Sequence, residues 1–299
     1  MTLLLQLLLG GLSLGAVYAL LALGFVVVFR SSGVVDFAHP AFLMIGTYVI
    51  ARAGIGGRLP FVVALLAGVL AAGLVALAVQ RFLVVPMAGR SLIAISIMTL
   101  GVDTIAQTEI IRRIGVDGYL PVADPWGDRL VRLGGLVFPQ SRLAALVVAG
   151  LIIAAFLAWL RYSVWGVAMR AVADDPQTAA LMGIRRTTVS ALAWTLAGML
   201  AAVAGLFLTT FPSPGLQSVS AAAALRAFPA AIIGGLDSIG GAIVGGLIVG
   251  IAESLVQGYA GDLAFLGHGI QGVMPYVVML AVLLVRPSGL FGTPELHRV

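Results

Sequence analysis

The stretch SGVVDFAHPAF, Ser32 to Phe42, separates two long apolar runs. It places Asp36, His39 and Pro40 within five positions of one another, where one apolar segment ends and the next begins. Three readings compete for it: a catalytic Asp/His pair, a metal site, or a break between membrane helices that serves transport. Composition weighs on that choice. Of 299 residues, 61% are hydrophobic and 10% charged, and the mean hydropathy is +1.13. Soluble domains average roughly 25% charged residues. Several apolar runs reach the ~20 residues that a spanning helix needs. They are continuous, whereas strands of a membrane barrel would alternate apolar and polar residues. The expectation is an all-α, polytopic membrane protein, because a helix pairs its own backbone groups in lipid.

Two absences restrict the chemistry. There is no Cys, which removes disulfides, Cys-zinc sites and thiol catalysis. There is no Lys either, so all 17 basic residues are Arg. A Walker A loop needs its Lys to reach the β/γ-phosphates, and a Schiff base needs an amine. The net charge of +5 fits loop arginines of a membrane protein better than nucleic-acid binding.

Apolar segments fall at about 3–29, 40–51, 60–80, 92–111, 143–160, 188–211, 222–236, 238–257 and 269–285. The second and seventh are short enough to be tilted, broken or re-entrant, which predicts eight or nine membrane segments in one domain, 1–299. The first lacks a basic start and is too long for a cleavable signal peptide. The connection 112–142 is the longest polar one, and its Tyr119 and Trp126 have the character of interfacial anchors. If 161–187 is cytoplasmic, alternation puts Arg30, Arg81, Arg90, Arg161, Arg170, Arg185, Arg186, Arg286 and Arg298 inside. Arg52, Arg58, Arg112, Arg113, Arg129, Arg132 and Arg142 fall outside, and Arg226 has no side. The positive-inside bias is small.

Small residues recur at four-residue spacing in Gly11–Gly15, Gly241–Gly245, Gly246–Gly250 and Ala197–Ala201–Gly205. This spacing lets helices approach closely, within the chain or against a second subunit. "GLSLG" at Gly11–Gly15 also matches the nucleophile-elbow pattern, but that elbow needs a strand–turn–helix setting. His39, His268 and His297 show no metal-binding spacing. Asp103, Glu109 and Glu253 lie in or near apolar segments, where an ionisable side chain is costly and a functional suspect. Asp103 is the deepest, with a structural hydrogen bond to a neighbouring helix as its simpler reading.

Tyr162 to Trp194, YSVWGVAMRAVADDPQTAALMGIRRTTVSALAW, joins two spans without reading as a loose loop. Gly166 to Ala173 predicts one helical piece. Asp175 then reads as an N-cap, Pro176 as the first helical residue and Gly183 as the stop. Two short helices over 164–184 would lie outside the lipid and offer a shaped knob to a partner.

The chain resembles the permease subunit of a branched-chain amino-acid ABC importer, of the LivH type. The residues that carry the resemblance are Gly11–Val49, GLSLGAVYALLALGFVVVFRSSGVVDFAHPAFLMIGTYV; Gly166–Ile184, GVAMRAVADDPQTAALMGI; Ala231–Tyr259, AIIGGLDSIGGAIVGGLIVGIAESLVQGY; and Arg286–Gly292, RPSGLFG. Asp36 stands where the family usually has Asn, and Pro40 where it usually has Gly. The resemblance implies a type II-like importer in the bacterial inner membrane. Its partners would be a second homologous permease subunit, two cytoplasmic ATPases that carry the ATP and Mg, and a periplasmic substrate-binding protein. No cofactor is implied on this chain. Arg170, Ala171, Asp174, Asp175, Ala179, Ala180 and Gly183 would form the ATPase-coupling element. Asp36, Phe37, His39, Pro40 and Asp103 would line the pathway or its gate. Branched-chain amino acids are the first expectation for the solute; urea, amides and aromatic or aliphatic acids are carried by relatives. An ion-coupled secondary transporter using Asp103 and Glu253, or a passive channel, is the reading from another class.

Overall fold

The computed structural model describes residues 2–55, 59–115, 118–122, 124–126, 129–133, 136–210, 215–217, 219–261 and 269–293. His268, His297, Arg58 and Arg298 lie outside the described residues, as does the side chain of Arg132.

Six helices are long and apolar enough to cross a membrane. They are α1 (Thr2–Ser32), α3 (Phe61–Val79, continued by a π turn and a 3₁₀ turn to Met87), α4 (Leu92–Ile114), α5 (Gln140–Tyr162), α8 (Arg186–Leu208) and α11 (Ile239–Gly258). Shorter apolar helices are α2 (His39–Gly54), α9 (Val219–Leu225), α10 (Ala227–Gly234) and α12 (Ile270–Val285). Each apolar segment expected from the sequence is helical, and the seventh is divided at Arg226 into α9 and α10. Two further helices, α6 (Val164–Asp174) and α7 (Pro176–Leu181), connect α5 to α8.

The polar connection before α5 contains a small antiparallel hairpin, β1 (Leu130–Leu133) on β2 (Leu136–Pro139), with Leu130 opposite Pro139. Trp126 packs its ring on Phe61 and Phe207 at 5.7 and 5.5 Å between centroids. It therefore anchors this connection to the bundle, while Tyr119 is exposed.

α1 is the axis of the molecule. Its long run of buried residues, Leu14 to Val28, is apolar on every side, the pattern of a helix surrounded by others. α11, α8, α5 and α10 pack around it, and α2 fills the space between α3, α8 and α4. The outer helices show lipid-compatible stripes. On α3 these are Val62, Leu66, Leu70 and Leu74, four residues apart.

The glycine spacing finds its partners inside the chain. A Cβ on Gly15 would lie 2.8 Å from the Leu247 Cα, and one on Gly250 would lie 2.2 Å from the Gly15 nitrogen. Gly246 meets Ala19 in the same way. α1 and α11 thus touch backbone to backbone, the geometry that small-xxx-small spacing permits. Ser13, the would-be nucleophile of GLSLG, sits in the same helix and donates to the Arg142 carbonyl at 2.7 Å. It makes a helix–helix tie with no nucleophile elbow around it.

Candidate functional site

The chain does not simply turn round after α1. Ser31 and Ser32 both donate to the Val28 carbonyl, and Gly33, at φ +71°, redirects the backbone. Residues 33–38 then run back into the bundle, so that His39 touches Gly24. Gly24 precedes Ser32 by eight residues, about 12 Å of helix rise. The helix break is therefore well below the end of α1, and α2 starts inside the protein.

Local chemistry holds that start in place. The Asp36 Oδ1 accepts from the Ala38 N–H at 2.9 Å, a turn within the loop just before the helix. The Phe37 N–H is taken by Thr99 Oγ1 of α4 at 3.0 Å. Pro40 occupies the first turn of α2, where an absent N–H costs nothing. Asp36 and His39 are both buried, with Asp36 Oδ2 3.7 Å from His39 Nδ1, too long for a hydrogen bond. The His39 ring lies against Phe25, 4.4 Å between centroids, and only a residue without a side chain fits at Gly24, since a Cβ there would be 2.4 Å from His39 Cε1. Phe37 and Phe25 both reach Phe228 of α10. The break after α1 and the N-terminal end of α10 therefore meet through three aromatic rings.

Asp103 lies one turn beyond Thr99 on α4, is 4% exposed, and accepts from Gln107 Nε2 at 2.5 Å. The structure thus brings Asp103 to the same side of α4 that receives the loop. Glu109, by contrast, pairs with Arg112 and Arg113 at the outer end of α4, as a surface ion cluster.

A second buried polar cluster lies along α1, farther from the α6–α7 end. Tyr18 donates to Glu253 Oε2 at 2.7 Å, and Arg226 pairs with Glu253 Oε1 at 2.7 Å. Arg226 occupies the junction between α9 and α10, so this triad fixes that junction to α1 and α11. Sequence reading singled out Glu253 but not its partners. The available signal was Arg226 itself, a lone cation within an apolar segment that needs an acid from another segment.

The helical pair behaves as its caps foretell. Ser163 accepts from the Gly166 N–H, and Asp175 Oδ1 accepts from the N–H groups of Gln177 and Thr178 at 2.9 and 3.1 Å. Thr178 Oγ1 also donates to Asp175, and this bond, with the two backbone ones, holds the Asp175 carboxyl below the usual carboxylate range. Pro176 is the first helical residue, and Gly183, at φ +84°, ends the piece. Gly166 allows α6 to fold directly over the last turn of α5: a Cβ there would meet the Leu160 carbonyl at 1.8 Å.

The side chains of this element point in different directions. Ala179 points inward and is 4% exposed, whereas Ala180 is exposed and Leu181 and Met182 are 87% and 78% exposed. Arg170 donates to the Leu160 carbonyl, the end of α5, and Asp174 is exposed without pairing to it. Ala171 is half-buried. The surface that α7 offers thus comprises Pro176, Gln177 and Thr178 at its start and an apolar tip, 180–182, with Gly183.

The helices alternate in direction, so the ends of α1, α3, α5 and α12 and the starts of α4, α8 and α11 share the α6–α7 end of the molecule. Among the described residues, no group of three or more His, Asp or Glu is placed to hold a metal ion.

Six helices long and apolar enough to span, with an interior helix break and a capped helical pair at one end, define a polytopic membrane protein. The family described as "Branched-chain amino acid transport system / permease component" matches residues 7–285, and the chain belongs to it. It is 30% identical, over 99% of its length and 97% of the relative's, to the high-affinity branched-chain amino acid transport system permease protein LivH of Escherichia coli K12. The LivH protein of Salmonella typhimurium is 32% identical over the same shares. A solved structure, PsaBC from Streptococcus pneumoniae in complex with Fab, shows a loose likeness, with a TM-score of 0.47 and 14% identity over 92% of this chain and 89% of that one. Family and spans together place the chain in the cell inner membrane as a multi-pass protein.

Proposed function

We propose that this chain is the membrane-spanning permease subunit of an ABC importer for branched-chain amino acids, driven by separate ATPase subunits. One observation carries the reading: near-complete coverage by a permease family and by relatives whose names state branched-chain amino-acid transport. The absence of Lys supports the division of labour, since this chain has no residue to fill the Walker A position. ATP and Mg then belong to two cytoplasmic ATPases, and a periplasmic binding protein delivers the solute to this subunit and a second, homologous permease.

The residues suggest how force enters. α7 is short, firmly capped and tied to α6, which in turn lies over the end of α5. Its tip leaves Leu181 and Met182 exposed, an apolar patch that a docked partner would cover. Movement of a docked ATPase would be transmitted through α6 to α5 and α1, toward the break at residues 33–38. There Phe25, Phe37 and Phe228 close the interior between two helix starts, and Asp36, His39 and Asp103 supply its polar edge.

The test is radiolabelled leucine, isoleucine and valine uptake into proteoliposomes that contain this subunit, its co-expressed partners and the binding protein. ATP-dependent uptake is expected, with none when the ATPases are omitted. Uptake by this chain alone, driven by a proton or sodium gradient, would overturn the importer reading. ATP-driven uptake of urea or an amide with none of branched-chain amino acids would overturn the solute assignment.

A further inference from the structure

At the α6–α7 end, a cavity of about 180 Å³ opens between the last turns of α3, the loop 88–91, the first turn of α4 and the first turn of α8. That is several times the ~30 Å³ a water occupies in the liquid. Its polar lining is Arg90, Arg186, Gln80, Ser32, Thr187 and Ser190, and no carboxylate lines it. Arg186 is held in position by a 2.8 Å bond to the Ser32 carbonyl. Arg90 makes no ion pair among the described residues. Arg186 also borders a neighbouring cavity where Asp174 and Asp237 lie, so the acids are on its far side.

Two guanidinium groups, hydroxyls and an amide around one cavity form a recognition surface for a phosphate, because Arg presents paired donors to oxyanions. The position selects the source. Leu92, which lines the cavity, is 53% exposed, and Phe82 and Ile93, both 73% exposed, lie on the same two helix ends outside the lining. Apolar side chains beside a cationic pocket, at the level where membrane helices end, suit an acyl chain beside its headgroup. We infer that this cavity holds the phosphate of an anionic phospholipid, bound between α3, α4 and α8 at the α6–α7 end.

The experiment uses the full chain in detergent with phosphatidylglycerol, phosphatidylcholine or inorganic phosphate added. Bound lipid is counted by native mass spectrometry, and affinity is read from lipid-dependent thermal stabilisation. Wild type is expected to retain phosphatidylglycerol in preference to phosphatidylcholine. Arg90→Gln should bind it about fivefold more weakly, the effect of one basic residue near an anionic headgroup. Arg90→Lys, which keeps the charge without the paired donors, should fall between Arg90→Gln and wild type. Arg90 lies in an exposed loop, so its replacement leaves the fold intact. Arg81→Gln, an exposed arginine outside the cavity lining, should bind as wild type does. Equal losses in Arg81→Gln and Arg90→Gln would mean general surface charge and overturn the site. Stabilisation by inorganic phosphate as strong as that by phosphatidylglycerol would overturn the lipid as its source, and wild-type lipid binding by Arg90→Gln would overturn the proposal outright.

Discussion

Two buried ionisable clusters lie along α1, and they are built differently. The outer one, Tyr18–Glu253–Arg226, is closed: each carboxylate oxygen of Glu253 has a short, charge-compatible donor. The inner one, at Asp36, His39 and Asp103, is open. Asp36 Oδ2, both His39 ring nitrogens and Asp103 Oδ1 are buried without a hydrogen-bond partner among the described residues. Buried polar atoms in native proteins are nearly always paired, with protein groups or with ordered water, and the neighbouring side chains supply no partner for these four. The closed cluster therefore reads as a fixture that binds the α9–α10 junction to α1 and α11. The open one lies where a short loop, two helix starts and three aromatic rings meet.

The sharpest way to break this contrast is to open the closed cluster. Arg226→Ala leaves the Glu253 carboxylate buried and opposed only by Tyr18, a loss of roughly 3–5 kcal/mol for a broken buried pair. Thermal unfolding in nanodiscs should show it. Arg226→Ala/Glu253→Ala should recover part of the loss, and strict additivity of the two single changes would mean that they do not interact.

Next in size is the backbone contact that carries the fixture. Gly250→Val forces side-chain atoms into the Gly15 backbone and should cost about 1–3 kcal/mol, as overpacked interiors do. The same change at Gly240, where a Cβ would meet nothing, should be close to neutral. Equal effects at the two positions would contradict close α1–α11 packing.

The open cluster should respond more weakly and more selectively. Asp36→Asn keeps an acceptor for the Ala38 N–H and should leave stability within about 0.5 kcal/mol. Asp36→Ala strands that buried N–H, at about 1–3 kcal/mol. If Asp36→Asn proved as damaging as Asp36→Ala, the charge rather than the turn would be holding the loop.

How far the sequence revealed this can be followed residue by residue. The apolar segments and the caps at Asp175, Pro176 and Gly183 were legible because their causes are local: hydropathy over one helix length, and hydrogen bonds within three residues. The depth of the break was not. It depends on Gly24 making room for His39, a contact between elements that no periodicity encodes. Nor was the triad, because Tyr18 and Glu253 are 235 positions apart. The inward direction of Ala179 was hidden for another reason. α7 has only six residues, too few for an apolar face to repeat, and the choice between Ala179 and Leu181 is made by packing against the rest of the chain.

Asp175 gives a smaller, pH-resolved test of the helical pair. Its carboxyl is held low, so its contribution is present above the unfolded-state pKa of about 3.9 and disappears as pH falls through the lower folded value. The amide signals of Gln177 and Thr178 should therefore keep their capped positions at pH 4 and shift only in stronger acid. A transition at or above pH 4 would mean the cap is weaker than its three hydrogen bonds indicate.

Coupling at the tip of α7 is tested by ATP-driven leucine uptake in the reconstituted complex carrying Leu181→Glu. The side chain is almost fully exposed, so expression and thermal stability should match wild type. The variant is expected to lose ATPase association and uptake together. A Leu181→Glu subunit that co-purifies with its ATPases and transports leucine at the wild-type rate would show that the tip of α7 is not where ATP hydrolysis is coupled to this permease.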